Sequence, residues 1–131
     1  MTARAAAAAG AGAVKETTMY GGRAQGLPEK GWAVAELTVF PLGTGELTVR
    51  DHVRALYQIV RESGLTHQIT AMGTIVEGRV EDILELTRRL HEACFEAGPG
   101  AGRVYTTLRL DERRGEALSI EGKVRGVLSP P

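Results

Sequence analysis

The sequence predicts an α+β fold of the ferredoxin-like class: a βαββαβ sandwich with a four-stranded antiparallel sheet, two helices on one face, and a short C-terminal helix. Two kinds of segment carry this prediction. In one, apolar residues recur at every second position, as in strands; in the other, they recur at spacings of three and four, as in helices. Their order along the chain, with glycine or proline at the boundaries, is strand, helix, strand, strand, helix, strand.

The first strand and helix follow Trp32. The apolar face of the strand is formed by Ala33, Ala35, Leu37 and Val39, and the opposite, mixed face by Val34, Glu36, Thr38 and Phe40. A glycine turn, GTG at residues 43–45, ends the strand. Residues 48–51, TVRD, resemble a capping box and predict the start of a helix there. Its buried stripe is Val49, Val53, Leu56 and Val60, and Gly64 ends it.

The second half repeats this order with an additional strand. Residues 66–72 and 74–77 predict two short strands separated by Gly73. A helix is predicted over residues 80–97, with Val80, Ile83, Thr87, Leu90 and Cys94 on its buried side. Residues 103–111 alternate again and predict the last strand, and a short helix is expected over residues 119–128.

Composition limits the classes of function. The formal net charge of the 131 residues is +0, so there is no basic field to attract nucleic acid, and we expect no nucleic-acid partner. A single cysteine, Cys94, excludes an internal disulfide and suits the cytoplasm. No apolar run is long enough for a membrane span, and the alanine-rich start lacks the apolar region of a signal peptide. Residues 1–30 are low-complexity and predict a disordered tail before a domain at residues 31–128.

Polar groups and aromatic rings cluster where the predicted strands end. Glu77 could accept hydrogen bonds from an amino heterocycle or lie in a solvated turn. Arg109 and Asp111 share one sheet face, where they could hold a polar ligand or form ion pairs. Phe40 and Tyr105 could stack on a cationic ring or pack in a subunit interface. Backbone N–H groups around Gly43 and Thr44 could bind an anion, although the spacing and lysine of a P-loop are missing.

Three blocks of sequence resemble the small thiamine-binding-protein family. They are AELTVFPLGTG at residues 35–45, MGTIVEG at residues 72–78 and TTLRLDERR at residues 106–114. The resemblance implies a ferredoxin-like fold, dimers that pair into tetramers, and binding of thiamine or its hydroxymethylpyrimidine moiety without cofactor or catalysis. It implies that the ligand-binding residues include those of the second block, Met72, Gly73, Thr74 and Glu77, and those of the third, Thr107, Arg109 and Asp111.

Other functions on the same fold stay open. An oligomeric structural or regulatory module would need no small ligand. An acylphosphatase-like enzyme would need an arginine within a glycine loop; the turn at residues 43–45 has none, although Arg50 follows it. A metal chaperone would show a Cys-x-x-Cys motif, which one cysteine cannot form.

Overall fold

The computed structural model describes residues 31–98 and 101–130, so the predicted tail at residues 1–30 lies outside the described residues. The elements are β1 (Trp32–Leu42), α1 (Arg50–Glu62), β2 (Thr66–Ile69), β3 (Thr74–Arg79), α2 (Val80–Cys94), β4 (Arg103–Glu112) and α3 (Ile120–Leu128). This order and the antiparallel four-stranded sheet confirm the predicted ferredoxin-like class. None of the helices in the described ranges is long and apolar enough to cross a membrane.

The sheet is ordered β2-β3-β1-β4, so β1 lies at its centre and pairs with two neighbours. Its pairing with β3 runs from Trp32↔Arg79 to Leu37↔Thr74. Its pairing with β4 continues further, to Leu42↔Arg103. Among the described residues, the last part of β1 therefore pairs with a strand on one side only.

The core lies between the sheet and the two helices α1 and α2. The predicted inward face of β1 is confirmed, and it packs with Leu56, Val60, Val76, Ile83, Leu86, Leu90 and Cys94. Leu86 belongs to this core although the predicted stripe of α2 included Thr87 instead. Thr87 is only half-buried, and its hydroxyl donates a hydrogen bond to the carbonyl of Ile83 at 2.8 Å. This bond satisfies the hydroxyl of Thr87, which would lack a hydrogen-bond partner in the apolar core.

Three element boundaries differ from the sequence prediction. The capping box at residues 48–51 is wrong: the N-cap of α1 is Val49 and no side chain caps it. Thr48 lies one residue before the N-cap, and its Oγ1 accepts a hydrogen bond from Arg50 N at 3.2 Å. Strand β2 ends at Ile69 because residues 70–73 form a turn, and α2 ends at Cys94 rather than at residue 97.

The C-terminal helix α3 covers part of the sheet face that α1 and α2 leave open. Ser119 is its N-cap and accepts a hydrogen bond from Gly122 N at 2.9 Å. Ile120 is buried, and Lys123 forms an ion pair with Asp111 of β4 at 2.6 Å. The outer sheet face is thus covered near one end, while Phe40 and Tyr105 at the other end stay exposed.

Two leucines of α2 provide a matched test of this packing. Leu86 is 2% exposed and Leu84 is 48% exposed on the same helix. We expect Leu86→Ala to lower the free energy of unfolding by about 2–5 kcal/mol, because it leaves a cavity in the core. Leu84→Ala should cost less than about 1 kcal/mol. Chemical denaturation of both variants measures the difference, and equal losses would contradict this assignment of the core.

Candidate functional site

A cavity of about 230 Å³ opens beside residues 38–42 of β1, the part of the strand with which β3 does not pair. It lies between this end, helix α1 and the turn at residues 70–73. Its walls are formed by Leu37, Thr38, Val39, Phe40, Val53, Leu56, Tyr57, Val60, Ile69, Thr70, Ala71, Met72, Gly73, Thr74 and Leu90. The lining residues are mostly apolar, with three threonines among them, as in many sites for small organic ligands.

The cavity exists because β3 begins at Thr74, where the chain has just reversed from β2, so β3 does not extend along the last residues of β1. Thr70 closes the turn on itself: its N–H and its hydroxyl both donate to the carbonyl of Gly73, each at 2.9 Å. Its Oγ1 also accepts from the N–H groups of Met72 and Gly73, at 3.2 and 3.1 Å. These bonds satisfy the backbone of the turn internally, so it does not extend the ladder along β1.

Gly73 lets this turn approach β1 closely. A Cβ atom at this position would lie 2.8 Å from Thr38 Cγ2 and 3.3 Å from the carbonyl oxygen of Leu37. Thr38 is β-branched and cannot turn aside easily. A larger residue would therefore push the turn away from β1 and change the shape of the cavity.

One wall of the cavity carries a tyrosine whose hydroxyl has a histidine partner. The hydroxyl of Tyr57 lies 3.4 Å from His67 Nε2, and the two rings meet edge to face. His67 Nδ1 lies 2.9 Å from the carbonyl oxygen of Leu65, which can only accept. Nδ1 therefore carries a proton, and in the neutral imidazole Nε2 is then the acceptor for the tyrosine hydroxyl.

The structure brings part of the sequence-predicted site together at this cavity. Phe40, Met72, Gly73 and Thr74 all line it. Gly43 and Thr44 do not; they lie in the loop that follows β1, where Gly43 has a φ of 77°. Thr44 Oγ1 accepts a hydrogen bond from Glu46 N at 3.2 Å, which shapes this loop.

Glu77 lies elsewhere, inside the protein rather than at a strand end. It is 1% exposed, in β3 beneath the start of α3. Its Oε1 accepts from the backbone N–H of Ile120 at 2.8 Å, and its Oε2 accepts from Trp32 Nε1 at 3.3 Å. Both carboxylate oxygens are thus used to fasten α3 and the start of β1 to the sheet.

The predicted residues of β4 lie on the outer sheet face. Thr107 is paired with Thr38 and its neighbour Arg109 with Glu36. Two nitrogens of Arg109 donate to Glu36 Oε1, at 3.1 and 2.6 Å. Asp111 pairs with Lys123 of α3. None of these three β4 residues lines the cavity, so their predicted contact with a ligand remains a prediction.

Several cavity residues were absent from the sequence-predicted site. Val53 and Tyr57 of α1, Ile69 and Thr70 form much of its wall. The sequence predicted that Val53 belongs to the buried stripe of α1. This is wrong, because Val53 is 46% exposed and lines the cavity. Thr70 begins the block TAMGTIVEG at residues 70–78, and its position three residues before a glycine is typical of a turn-forming hydroxyl.

Cys94 and His91 do not line the cavity. Burial raises the pKa of the Cys94 thiol, which lies in the core and stays protonated at neutral pH. His91 Nδ1 lies 2.7 Å from Thr106 Oγ1, beside β4. Among the residues described, no three His, Cys, Asp or Glu side chains could together hold a metal ion.

The sequence is similar to a family of known proteins over most of its described length. The family model described as thiamine-binding protein matches residues 35–128. A UPF0045 protein of Methanothermobacter thermautotrophicus is 36% identical over 94 residues, which are 71% of this chain and 93% of that protein. The UPF0045 protein YqgV of Bacillus subtilis is 32% identical over 99 residues, 72% of this chain and 93% of the relative.

Solved structures share the fold. The hypothetical protein MJ1052 of Methanocaldococcus jannaschii superposes with a TM-score of 0.67 at 29% identity, covering 74% of this chain and 96% of that one. A Thermotoga maritima protein described as a candidate for thiamine biosynthesis or salvage has a TM-score of 0.63 at 19% identity, covering 73% and 98%. At that identity the second likeness shows the fold alone.

The position of Glu77 makes a prediction about stability. Glu77→Gln keeps one acceptor oxygen but turns an amide NH₂ toward one of two N–H donors. We expect the free energy of unfolding to fall by about 1–3 kcal/mol, because one buried N–H loses its partner. Glu36→Gln, in an exposed ion pair with Arg109, is the matched control and should cost about 0–1 kcal/mol.

Denaturation followed by the fluorescence of Trp32 measures both variants. Since Trp32 contacts Glu77 directly, its emission should also change in the folded state of Glu77→Gln. A Glu77→Gln protein as stable as the Glu36→Gln control would refute this role.

Proposed function

The chain belongs to the thiamine-binding protein family, and from this premise we propose that it binds thiamine or its hydroxymethylpyrimidine moiety in the cavity beside β1, without catalysing a reaction. The observation that carries the proposal is the position of the second sequence block. Met72, Gly73 and Thr74 of this block lie in the cavity wall, together with Phe40 of the first block.

The chemistry of the cavity supports an aminopyrimidine. This ring has apolar faces and edges that carry an amino donor and nitrogen acceptors. Apolar side chains from α1 and β1 can cover the faces, while the hydroxyls of Thr38 and Thr74 and the backbone can bind the edges. The volume of about 230 Å³ suits a small organic ligand rather than a macromolecule.

The thiazolium ring of thiamine carries a positive charge that the cavity mouth could accommodate. Phe40 belongs to both the cavity and the outer sheet face, where it is 42% exposed beside Tyr105. A cation over an aromatic face gains about 0.5–2 kcal/mol. Glu36 also lies near the mouth, since its Cγ is 3.6 Å from the position of a Cβ on Gly73. We propose that Arg109 and Asp111 act around this outer face, where Arg109 holds Glu36 and Asp111 holds Lys123 of α3.

Two matched threonine variants test the site. Thr74 lines the cavity, whereas Thr107 lies on the outer face opposite Thr38 and does not line it. We expect thiamine and hydroxymethylpyrimidine to bind the unmodified protein in calorimetry. Thr74→Val, which replaces the hydroxyl by a methyl group, should weaken binding by about 0.5–1.5 kcal/mol, and Thr107→Val should leave it unchanged.

The controls for this experiment separate the site from the ligand. Melting temperatures of both variants show whether each protein is still folded. Loss of binding in Thr107→Val but not in Thr74→Val would move the site to the outer face. No binding by the unmodified protein would refute the ligand and favour an oligomeric structural module.

We propose further that the protein assembles through its outer sheet face, as a dimer of dimers. Phe40 is 42% exposed and its cross-strand partner Tyr105 is 56% exposed, on the part of the face that α3 does not cover. Small domains bury a limited share of their apolar surface, so an exposed aromatic pair favours association.

The assembly can be tested in solution. We expect a tetramer with closed symmetry. Light scattering at micromolar protein concentration should therefore give four times the mass of one chain. Tyr105→Glu places a charge on this face and should lower the mass. Arg88→Glu, on the exposed side of α2, is the control and should not. A monomeric mass for the unmodified protein would contradict the proposal.

A further inference from the structure

The backbone of β1 presents its hydrogen-bonding groups alternately to its two neighbours. In an antiparallel ladder the N–H and C=O of one residue point to the same side, and those of the next residue to the other. The carbonyl of Gly31 accepts from Val80 N at 2.8 Å, on the β3 side. The carbonyl oxygen of Leu37 also faces β3, since it lies 3.3 Å from the Cβ position of Gly73. Odd-numbered residues of β1 therefore face β3.

Val39 is the next residue in this series, and β3 does not extend to it. The β1–β3 pairing stops at Leu37↔Thr74, and both registers of β1 run without a bulge. Two residues further, the same register would place Met72 opposite Val39. The N–H of Met72 instead donates to Thr70 Oγ1 at 3.2 Å, within the turn. The turn thus leaves the N–H and C=O of Val39 facing the cavity, which Val39 lines.

Pro41 follows Val39 on the same side of β1. Proline has no N–H to donate, and within sheets it occurs where a strand edge is unpaired. Its presence is consistent with this edge staying free of a further strand. It also limits the backbone donors on this side, beyond Leu37, to the one N–H of Val39.

We propose that Val39 binds the ligand through its backbone: its N–H donates to a ring nitrogen of the aminopyrimidine, and its C=O accepts from the adjacent exocyclic amino group. The ring takes the place of the missing strand opposite Val39. Peptide strands bind sheet edges through the same pair of groups, and ligand sites commonly use backbone N–H and C=O for orientation. This inference rests on the proposed function, because it specifies how the same cavity recognises its ligand.

The arrangement makes the amino group a determinant of specificity. A pyrimidine whose amino group is replaced by a carbonyl presents an acceptor to the C=O of Val39 and a ring N–H to its N–H. Both contacts then face a like partner, and buried polar groups without partners weaken binding strongly. We expect this oxo analogue of thiamine to bind at least about tenfold more weakly than thiamine.

A backbone substitution tests the contact directly. Replacing Val39 in the full chain by its α-hydroxy acid converts the N–H to an ester oxygen and keeps the side chain. The matched control is the same replacement at Val104, whose N–H faces the outer edge of β4, because its partner Pro41 turns its own backbone toward β3. Calorimetry with thiamine should show binding about three- to tenfold weaker for the Val39 ester and unchanged for the Val104 ester.

Amide exchange provides a second measurement that needs no variant. In valine-labelled protein, the Val39 amide should become protected from hydrogen exchange when thiamine is added, and the Val104 amide should not. Unchanged affinity of a folded Val39 ester, unchanged exchange at Val39, or equal binding of the oxo analogue would each overturn this inference while leaving thiamine binding in place. Failure of the unmodified protein to bind thiamine would instead refute the proposed function and this inference with it.

Discussion

The rest of the structure depends on how β1 pairs with its two neighbouring strands, because β4 pairs with more of β1 than β3 does. Its ladder to β4 runs from Ala33 to Leu42, while its ladder to β3 stops at Leu37. Among the described strands, β1 therefore pairs with both β3 and β4 next to the core, and with β4 alone beside the cavity. Because β4 holds the far side, the end of β1 can stay extended with one edge unpaired. An edge of this kind normally invites another chain, and here α1 and the turn at residues 70–73 enclose it.

The side chain of Thr70 shapes the turn between β2 and β3. Its hydroxyl donates to one carbonyl and accepts from two N–H groups, so the turn satisfies its own backbone. Without these bonds the N–H of Met72 could pair with β1 and extend the ladder into the cavity. Gly73 completes the arrangement, since any side chain there would collide with Thr38. The turn and the cavity thus depend on the same two residues.

The outer sheet face is divided between two tasks. Glu77, buried beneath α3, holds the helix through the N–H of Ile120 and covers one end of the face. The other end carries Phe40, which also lines the cavity. A ligand at the cavity mouth and a partner subunit on the face would therefore both contact Phe40. For this reason a threonine deeper in the cavity separates ligand binding from assembly better than Phe40 does.

The sequence by itself determined the order of elements, the inward face of β1 and the family, because periodicity and local motifs are properties of neighbouring residues. It also predicted as ligand-binding four residues that line the cavity, namely Phe40, Met72, Gly73 and Thr74. Only the tertiary structure decided the burial of Glu77 beneath α3 and the end of the β3 pairing before Val39. A glutamate at the end of a predicted strand reads the same whether solvent or a C-terminal helix covers it, and α3 lies far from β3 in the chain. A backbone N–H carries no signature in the sequence, since its availability depends on where the neighbouring strand stops. Registers between distant strands set that point, and no local pattern encodes them.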